Sequence, residues 1–199
     1  FLKDSIRLAI DFSQTDQSRG IPAPPVEKPY AADVPRVDLP RPGRWRSVTR
    51  TDLESAIRDR KSRRDFSRQP LALEELSFLL WATQGVREVI DGGTALRTVP
   101  SAGARHALET YLCVLNVCTL VPGVYRYLPV EHQLLIECQD AQAGRKLIEA
   151  TLGQSFLAQA AAVFCWTAVP YRMEWRYGLA AHKVILLDAG HPGKAVALL

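Results

Sequence analysis

The sequence lacks the patterns that mark several large classes of enzyme and membrane protein. Its four histidines are scattered, and no HExxH or Cys/His spacing typical of a metal site occurs among its 199 residues. It contains neither the GxSxG of serine hydrolases nor the GxGxxG of dinucleotide-binding folds. Its longest apolar run, residues 160–169, is about half the length needed to cross a bilayer. We therefore expect no metal centre, no serine nucleophile and no membrane span.

Paired cysteines are also lacking, because the four that are present form no CxxC motif. Cys113 and Cys165 lie in apolar runs and are predicted to be buried thiols. The first residues carry no long apolar stretch of the secretory type, so we expect a reduced, cytoplasmic protein. Apolar residues (47%) and charged residues (23%) are in the balance of an ordinary globular domain.

The positive charge is concentrated in one segment. The net charge is +4, and residues 58–68 contain six basic and two acidic residues, so the rest of the chain sums to zero. Such a cluster fits a small anionic ligand better than a nucleic acid, because nucleic-acid-binding proteins spread their charge along a face. Nucleic-acid binding is the weaker interpretation and predicts strongly salt-dependent affinity.

The N-terminal part, residues 1–48, is predicted to be a unit separate from the main domain. Residues 1–12 have helical apolar spacing, and seven prolines follow between residues 22 and 42. A proline-rich stretch cannot form a regular helix or a central strand. We therefore predict that residues 14–48 form an extended arm that lies over the body or over a partner chain. The alternative is a disordered tail.

The main domain, residues 49–199, is predicted to belong to the α+β class. Thr51-Asp52-Leu53-Glu54 is typical of a capping box that opens a helix, and residues 71–83 carry a helical leucine stripe that ends at Gly85. Residues 86–100 are predicted to be a loop. Buried strands are expected at 109–117 and 161–169, a hairpin at 123–138, and helical segments at 140–160 and 172–189. Because helices and strands do not alternate strictly, a βαβ fold is not expected.

Three segments carry candidate binding chemistry. The first combines guanidinium, ammonium and hydroxyl donors that suit a phosphate monoester, with a solvated surface as the alternative: Arg60, Lys61, Ser62 and Arg64. The second, residues 100–104, is small enough for close approach to a flat ligand, although Ser101 could instead cap a helix. The third, residues 172–178, places Trp175 and Tyr177 beside two arginines, as a pocket lining or a plain amphipathic helix.

Taken in order, these segments resemble the nitroreductase superfamily over about residues 50–191. The matching stretches are residues 60–66 with Pro70, 73–85, 97–104, 123–127, 152–154, 175–178 and 188–191. The resemblance is greatest to the branch that includes the azoline dehydrogenases of thiazole- and oxazole-forming peptide pathways. It ends at His191, so the C-terminal elements of the family are expected to be incomplete here.

The resemblance implies a homodimer with two FMN sites at the subunit interface and a central mixed β-sheet flanked by helices. In such proteins the residues that match Arg60, Lys61 and Ser62 hold the phosphate and ribityl chain, and the match to Arg64 reaches the N1/O2 end of the ring. The residues expected to pack on the ring from the other subunit are Pro100, Ser101, Ala102 and Gly103. Gln154 falls in a region that often reaches the flavin.

The implied activity is FMN-dependent transfer of hydride from NAD(P)H to a small organic acceptor, such as a nitroaromatic or a quinone, by a ping-pong mechanism. No catalytic protein nucleophile is expected, because a fixed cation beside N1 and O2 supplies the electrostatic stabilisation. Two alternatives remain open. The first is an azoline dehydrogenase, and the second is a truncated, non-catalytic relative that forms the dimer without flavin.

Overall fold

The structure, a computed structural model that describes residues 2–198, has an antiparallel sheet at its centre. Seven strands form: β1 (Arg36–Asp38), β2 (Val86–Asp91), β3 (Thr94–Arg97), β4 (Leu108–Val114), β5 (Gly123–Leu128), β6 (Gln133–Gln139) and β7 (Ala162–Ala168). Five of them make the central sheet in the order β1-β6-β5-β4-β7, whereas β2 and β3 form a separate hairpin. Every pairing within the central sheet is antiparallel.

Helices follow or precede these strands without regular alternation. They are α1 (Asp4–Leu8), α2 (Leu53–Asp59), α3 (Leu73–Gln84), α4 (Ala143–Ala150), α5 (Tyr171–Tyr177) and α6 (Ala181–Leu198). Short 3-10 turns lie at Phe12–Gln14, Ala102–Ala104, Ser155–Gln159 and Gly178–Ala180. Gly178 ends α5 with φ 50°, a backbone conformation that glycine adopts without strain, so the predicted single helix over 172–189 is divided in two.

One face of the sheet is covered by helices. Leu76 and Leu80 of α3 pack in one apolar cluster with Leu112 and Val114 of β4. At the other end of β4, Leu108 packs in a second cluster with residues of α5 and α6, among them Met173, Ala181 and Ile185. Alternate residues of β4 therefore point into the helical layer, as expected for a strand that faces a core on one side.

The opposite face of the sheet is contacted by the proline-rich N-terminal segment. The Lys28 backbone N–H donates to the carboxylate of Glu109 on β4 at 2.9 Å. The guanidinium of Arg126 on β5 lies 5.7 Å from the centre of the Tyr30 ring. Residues 36–38 then pair with β6 as an edge strand, a position in which neighbouring prolines are tolerated. Whether this segment also reaches a partner chain, as an arm, stays a prediction.

The structure confirms the α+β class and corrects several local expectations. Residues 86–100 are not a loop, because Val86–Asp91 and Thr94–Arg97 pair as a hairpin around Gly92 and Gly93. The helix predicted from Thr51 starts one residue later, since the Asp52 side chain accepts the Ser55 N–H. The central sheet is antiparallel rather than mixed. Strand β7 pairs only with β4 and lies at the sheet edge, so Cys165 on β7 is exposed rather than buried. Cys113 on β4 is only half-buried.

Candidate functional site

The basic segment lies in irregular backbone between α2 and α3. Its side chains are exposed, and within residues 2–198 no hydrogen bond or ion pair uses the side chains of Arg60, Lys61, Ser62 or Arg63. Helix α2 ends at Asp59, so the following donors are not committed to a helical surface. The set of unpaired guanidinium, ammonium and hydroxyl groups matches the donors that bind a phosphate, and the segment therefore fits the phosphate end of FMN.

Arg64 connects this segment to the loop after α4. Its guanidinium carbon lies 5.8 Å from the centre of the Phe156 ring, a cation–π contact. Phe156 stands two residues after Gln154, whose side chain is exposed at the start of a 3-10 turn. The structure thus brings Arg64 and the region of Gln154 together within one chain, although they are far apart in sequence.

The segment Pro100–Gly103 is held by a buried carboxylate on α6. Ser101 Oγ donates to Asp188 Oδ2 at 2.5 Å, and the Ala102 N–H donates to Asp188 Oδ1 at 3.3 Å. Ser101 Oγ also accepts the His106 N–H at 2.9 Å, so its side chain makes no helix cap, contrary to the capping alternative. Asp188 therefore fixes the position of this small-residue segment.

Gly103 is required by the packing of its loop. Its φ is 60°, and a Cβ built there would stand 2.6 Å from Arg176 Nε and 2.9 Å from the Tyr177 hydroxyl. The neighbouring Trp175 is buried, with its indole N–H donated to the Ile21 carbonyl at 2.8 Å and Arg105 stacked 4.9 Å from its ring centre. Trp175 therefore anchors the N-terminal segment.

The two predicted halves of the cofactor site are not joined within this chain. Among the described residues, no hydrogen bond or ion pair links the basic segment to Pro100–Gly103. Pro100 and Gly103 are exposed, whereas Ser101 and Ala102 are half-buried. A site built from both segments needs two chains, as the resemblance implies, and this assignment stays a prediction.

A buried ionic network lies beneath the N-terminal segment. Glu109 Oε1 meets Arg172 Nη2 at 2.5 Å, and both side chains are 3% exposed. Burial lowers the pKa of Arg97 to about 10, and the charge of Glu109 opposes this shift. Burial, with help from the Arg97 charge, also lowers the pKa of His106 to about 3, so this imidazole is neutral near pH 7. Sequence reasoning missed this network, because an isolated Glu in an apolar strand gives no signal of its partner.

Glu27 is the most perturbed carboxyl group in the N-terminal segment. Burial and the facing carboxyl of Glu131 raise its pKa to about 8, with a smaller contribution from Glu109, while the Val130 N–H opposes the shift. A carboxyl whose pKa is raised by folding stabilises the fold at low pH. That stabilisation is lost as the pH rises from about 4.5, the unfolded value, through about 8.

We expect Glu27→Gln to raise the melting temperature at pH 9 relative to the unmodified protein, and to change it little at pH 4. The neutral amide removes the repulsion from Glu131, and each 1 kcal/mol gained is worth about 2–4 °C in a chain of this size. Thermal unfolding at both pH values measures the difference, with Glu54→Gln on the exposed face of α2 as the control. If Glu27→Gln and the unmodified protein differ in melting temperature by the same amount at both pH values, the repulsion between Glu27 and Glu131 is not the cause.

A large cleft is lined by none of the predicted cofactor residues. It has a volume of about 730 Å³ and runs between residues 43–51 and the outer face of α3. We call it the Trp45 cleft, and its principal lining residues are Trp45, Val48, Arg50, Leu71, Phe78 and Leu79. Thr51 and Leu71 both border it, so the chain that carries the basic segment leaves the cleft at one residue and returns to it at the other.

Metal and membrane chemistry have no support in the part of the chain that is described. Within residues 2–198, no group of three or more His, Cys, Asp or Glu side chains is placed to hold a metal ion. None of the helices there combines the length and apolar character required to cross a membrane.

Comparisons with known proteins agree on one family. A model of the nitroreductase family matches residues 57–199. A protein of Methanocaldococcus jannaschii with the provisional name of nitroreductase is 32% identical over 167 residues, which cover 84% of this chain and 79% of the relative.

Solved structures give the same result. A provisionally assigned nitroreductase from Ralstonia eutropha superposes with a TM-score of 0.64 at 27% identity, covering 89% of this chain and 79% of the other. A second, from Anabaena variabilis, gives 0.62 at 25% identity and covers 98% of this chain but 35% of its own. A chain of the E. coli microcin synthetase complex McbBCD, with truncated pro-MccB17 bound, gives 0.54 at 22% identity, covering 99% and 79%, a likeness of fold alone.

Proposed function

Because this chain belongs to the nitroreductase family, we propose that it is an FMN-dependent oxidoreductase that passes hydride from NAD(P)H to a small organic acceptor. Family membership supports the oxidoreductase class. The observation that carries the finer proposal is the donor set of the basic segment: the side chains of Arg60, Lys61 and Ser62 form no hydrogen bond or ion pair within the described residues, and Arg64 contacts the Phe156 ring. Unpaired Arg and Lys groups gathered on irregular backbone need an anionic partner to be more than solvated surface.

Each residue of the basic segment has a distinct part in this proposal. Arg60 and Lys61 neutralise the phosphate of FMN, and the Ser62 hydroxyl adds a directional hydrogen bond. Arg64, held beside Phe156, would reach toward the N1/O2 end of the ring and stabilise the negative charge that reduction places there. Bound FMN supplies the hydride transfer itself, and no protein nucleophile takes part.

The second chain of a homodimer completes the proposed site. Its Pro100–Gly103 segment supplies a flat, small-residue surface whose position is fixed by Asp188 and by the positive φ of Gly103. The absence of a link between this segment and the basic segment within one chain supports a site made from both subunits. The four cysteines have free thiols, which fits the proposed cytoplasmic location.

The test begins with the absorption spectrum of the purified dimer. We expect a flavin spectrum that bleaches with NADH or NADPH and recovers when a nitroaromatic or quinone is added. Colourless protein that takes up no added FMN would overturn the proposal and favour the non-catalytic alternative. If the protein turns over an azoline substrate but neither a nitroaromatic nor a quinone, its substrate is that of an azoline dehydrogenase and not the proposed acceptor.

Arg64→Ala is expected to lower the midpoint potential of the bound flavin by about 30–60 mV. A hydrogen bond to a charged group is worth about 1.5–3 kcal/mol, and about 30 mV corresponds to 1.4 kcal/mol for a two-electron couple. Potentiometric titration measures the shift. Arg63→Ala removes the same charge from the same segment and is expected to leave the potential nearly unchanged, so equal shifts in both variants would refute the role of Arg64.

A further inference from the structure

The Trp45 cleft has an ordered aromatic wall. The indole N–H of Trp45 donates to Ser77 Oγ at 3.0 Å, and Ser77 is fully buried with its hydroxyl bonded to the Pro40 carbonyl at 2.7 Å. Phe78 stands with its ring centre 5.1 Å from that of Trp45, at an interplanar angle of 72°. Because Trp45 is fixed by a buried partner, its position does not depend on a ligand.

Unpaired arginines surround this wall. Residues 41–50 contain four arginines and no acidic residue. Arg50 borders the Trp45 cleft, and Arg44 and Arg46 border an adjoining cleft of about 530 Å³ that shares Gly43 and Trp45 with it. Among residues 2–198, the guanidinium groups of Arg44, Arg46 and Arg50 form no hydrogen bond or ion pair. Three cations beside half-buried aromatic rings that line the cleft favour a ligand that is both aromatic and multiply charged.

The acidic groups near the cleft are bound to backbone donors. Glu74 Oε2 accepts the N–H groups of Arg46 and Ser47 and the Ser47 hydroxyl, and these hydrogen bonds lower the pKa of Glu74. Glu75 Oε2 accepts the Ala72 N–H at 2.8 Å, at the start of α3. Neither carboxylate forms an ion pair with the three arginines, although the charge of Arg46 contributes to the lowered pKa of Glu74. The three guanidinium groups are therefore available to an anion, and Glu75 disfavours one on its own side of the cleft.

We propose that the Trp45 cleft binds a nucleoside diphosphate. The base stacks on the Trp45 ring, with the Phe78 ring, inclined at 72° to it, against the edge of the base, and the two phosphates contact Arg44, Arg46 and Arg50. The volume of about 730 Å³ is in the range of small-molecule sites. A single carboxylate would leave at least one of the three guanidinium groups without a partner, whereas a diphosphate has enough oxygens for all of them.

The adenosine diphosphate portion of the proposed reductant has this chemistry. The assignment of that source rests on the proposed function, whereas nucleotide binding at the cleft does not. The chain that carries the basic segment leaves the cleft at Thr51 and returns to it at Leu71, since both residues line it. A dinucleotide held there by its adenosine end would therefore lie next to that stretch of chain.

Isothermal titration of the full chain, saturated with FMN so that the basic segment is occupied, tests the proposal. We expect ADP to bind, Arg46→Ala and Arg50→Ala each to weaken it about tenfold, and Trp45→Ala to weaken it about tenfold through lost stacking. Trp45→Phe keeps an aromatic ring and is expected to restore most of the affinity. Arg145→Ala, on the exposed face of α4, is the matched control and is expected to have no effect.

The sources are separated by comparing ADP with NADH and NADPH in the same titration. Tighter binding of a dinucleotide than of ADP supports the reductant, and equal binding supports a free nucleotide in the same cleft. Three results would overturn the site. ADP does not bind, or benzoate, an aromatic ligand with a single carboxylate, binds in place of ADP, or the ADP affinity is unchanged in Trp45→Ala and Arg50→Ala. Flavin content is measured separately. A protein that binds no FMN fails the proposed function, and ADP binding at the cleft is then still tested by the same variants.

Discussion

Arg60→Ala is expected to raise the dissociation constant for FMN by about 10- to 100-fold. A guanidinium group donates parallel hydrogen bonds to a phosphate, and a loss of about 1.5–3 kcal/mol in all, the usual value of a hydrogen bond to a charged group, gives this range. Nothing in the described chain competes for Arg60, because its side chain has no protein partner there. The whole of its interaction free energy is then available to the ligand. Titration of flavin-free protein with FMN, followed by fluorescence, measures the loss.

The matched control is Arg63→Ala, which removes one positive charge from the same exposed segment. Equal losses in Arg60→Ala and Arg63→Ala would mean that only the general charge matters. Riboflavin, which lacks the phosphate, provides a second control. Arg60→Ala should remove most of the preference for FMN over riboflavin, whereas Ser62→Ala should reduce it about tenfold, the lower end of the range for one hydrogen bond to a charged group. If FMN and riboflavin lose affinity equally, Arg60 does not hold the phosphate.

The sequence predicts the central sheet better than the separate two-stranded hairpin. Residues 108–114 and 123–139 alternate or are continuously apolar because one or both faces are buried, so their pattern carries the strand signal. The hairpin at residues 86–97 has no such pattern, since β2 is exposed along most of its length. Its signal was instead the pair Gly92-Gly93 between two stretches that pair, which is typical of a hairpin turn.

The candidate site divides in the same way. Arg60, Lys61, Ser62 and Arg64 are contiguous, so their shared chemistry is visible in the sequence, and so is the small-residue segment that begins at Pro100. The carboxylate that positions Ser101 comes from Asp188, 87 residues away, and the N–H that meets Glu109 comes from Lys28, 81 residues away. Pairings of this kind are made by the tertiary fold, and no local spacing encodes them.

Glu109→Gln is expected to lower the free energy of unfolding by about 3–5 kcal/mol, the usual cost of leaving a buried ion pair with one charged partner. Glu109 is the carboxylate on which three elements meet. It binds Arg172 of α5 and the backbone of Lys28, and its charge also offsets the burial of Arg97. Without that charge, the guanidinium groups of Arg97 and Arg172 face each other inside the protein and repel. Denaturant unfolding at pH 7 measures the loss.

Two comparisons make this expectation specific. Glu149→Gln breaks an exposed pair with Arg145, whose atoms lie 3.8 Å apart, and it should change stability by less than about 1 kcal/mol. Glu109→Leu combined with Arg172→Met removes both members of the buried pair, and it should recover part of the loss, because no uncompensated Arg172 charge remains. Recovery will be incomplete, since the Lys28 N–H still loses its acceptor and Arg97 loses the favourable charge of Glu109. If Glu109→Gln lowers the free energy of unfolding as little as Glu149→Gln does, then water or another group compensates the buried arginines. The N-terminal segment would then dock without this carboxylate.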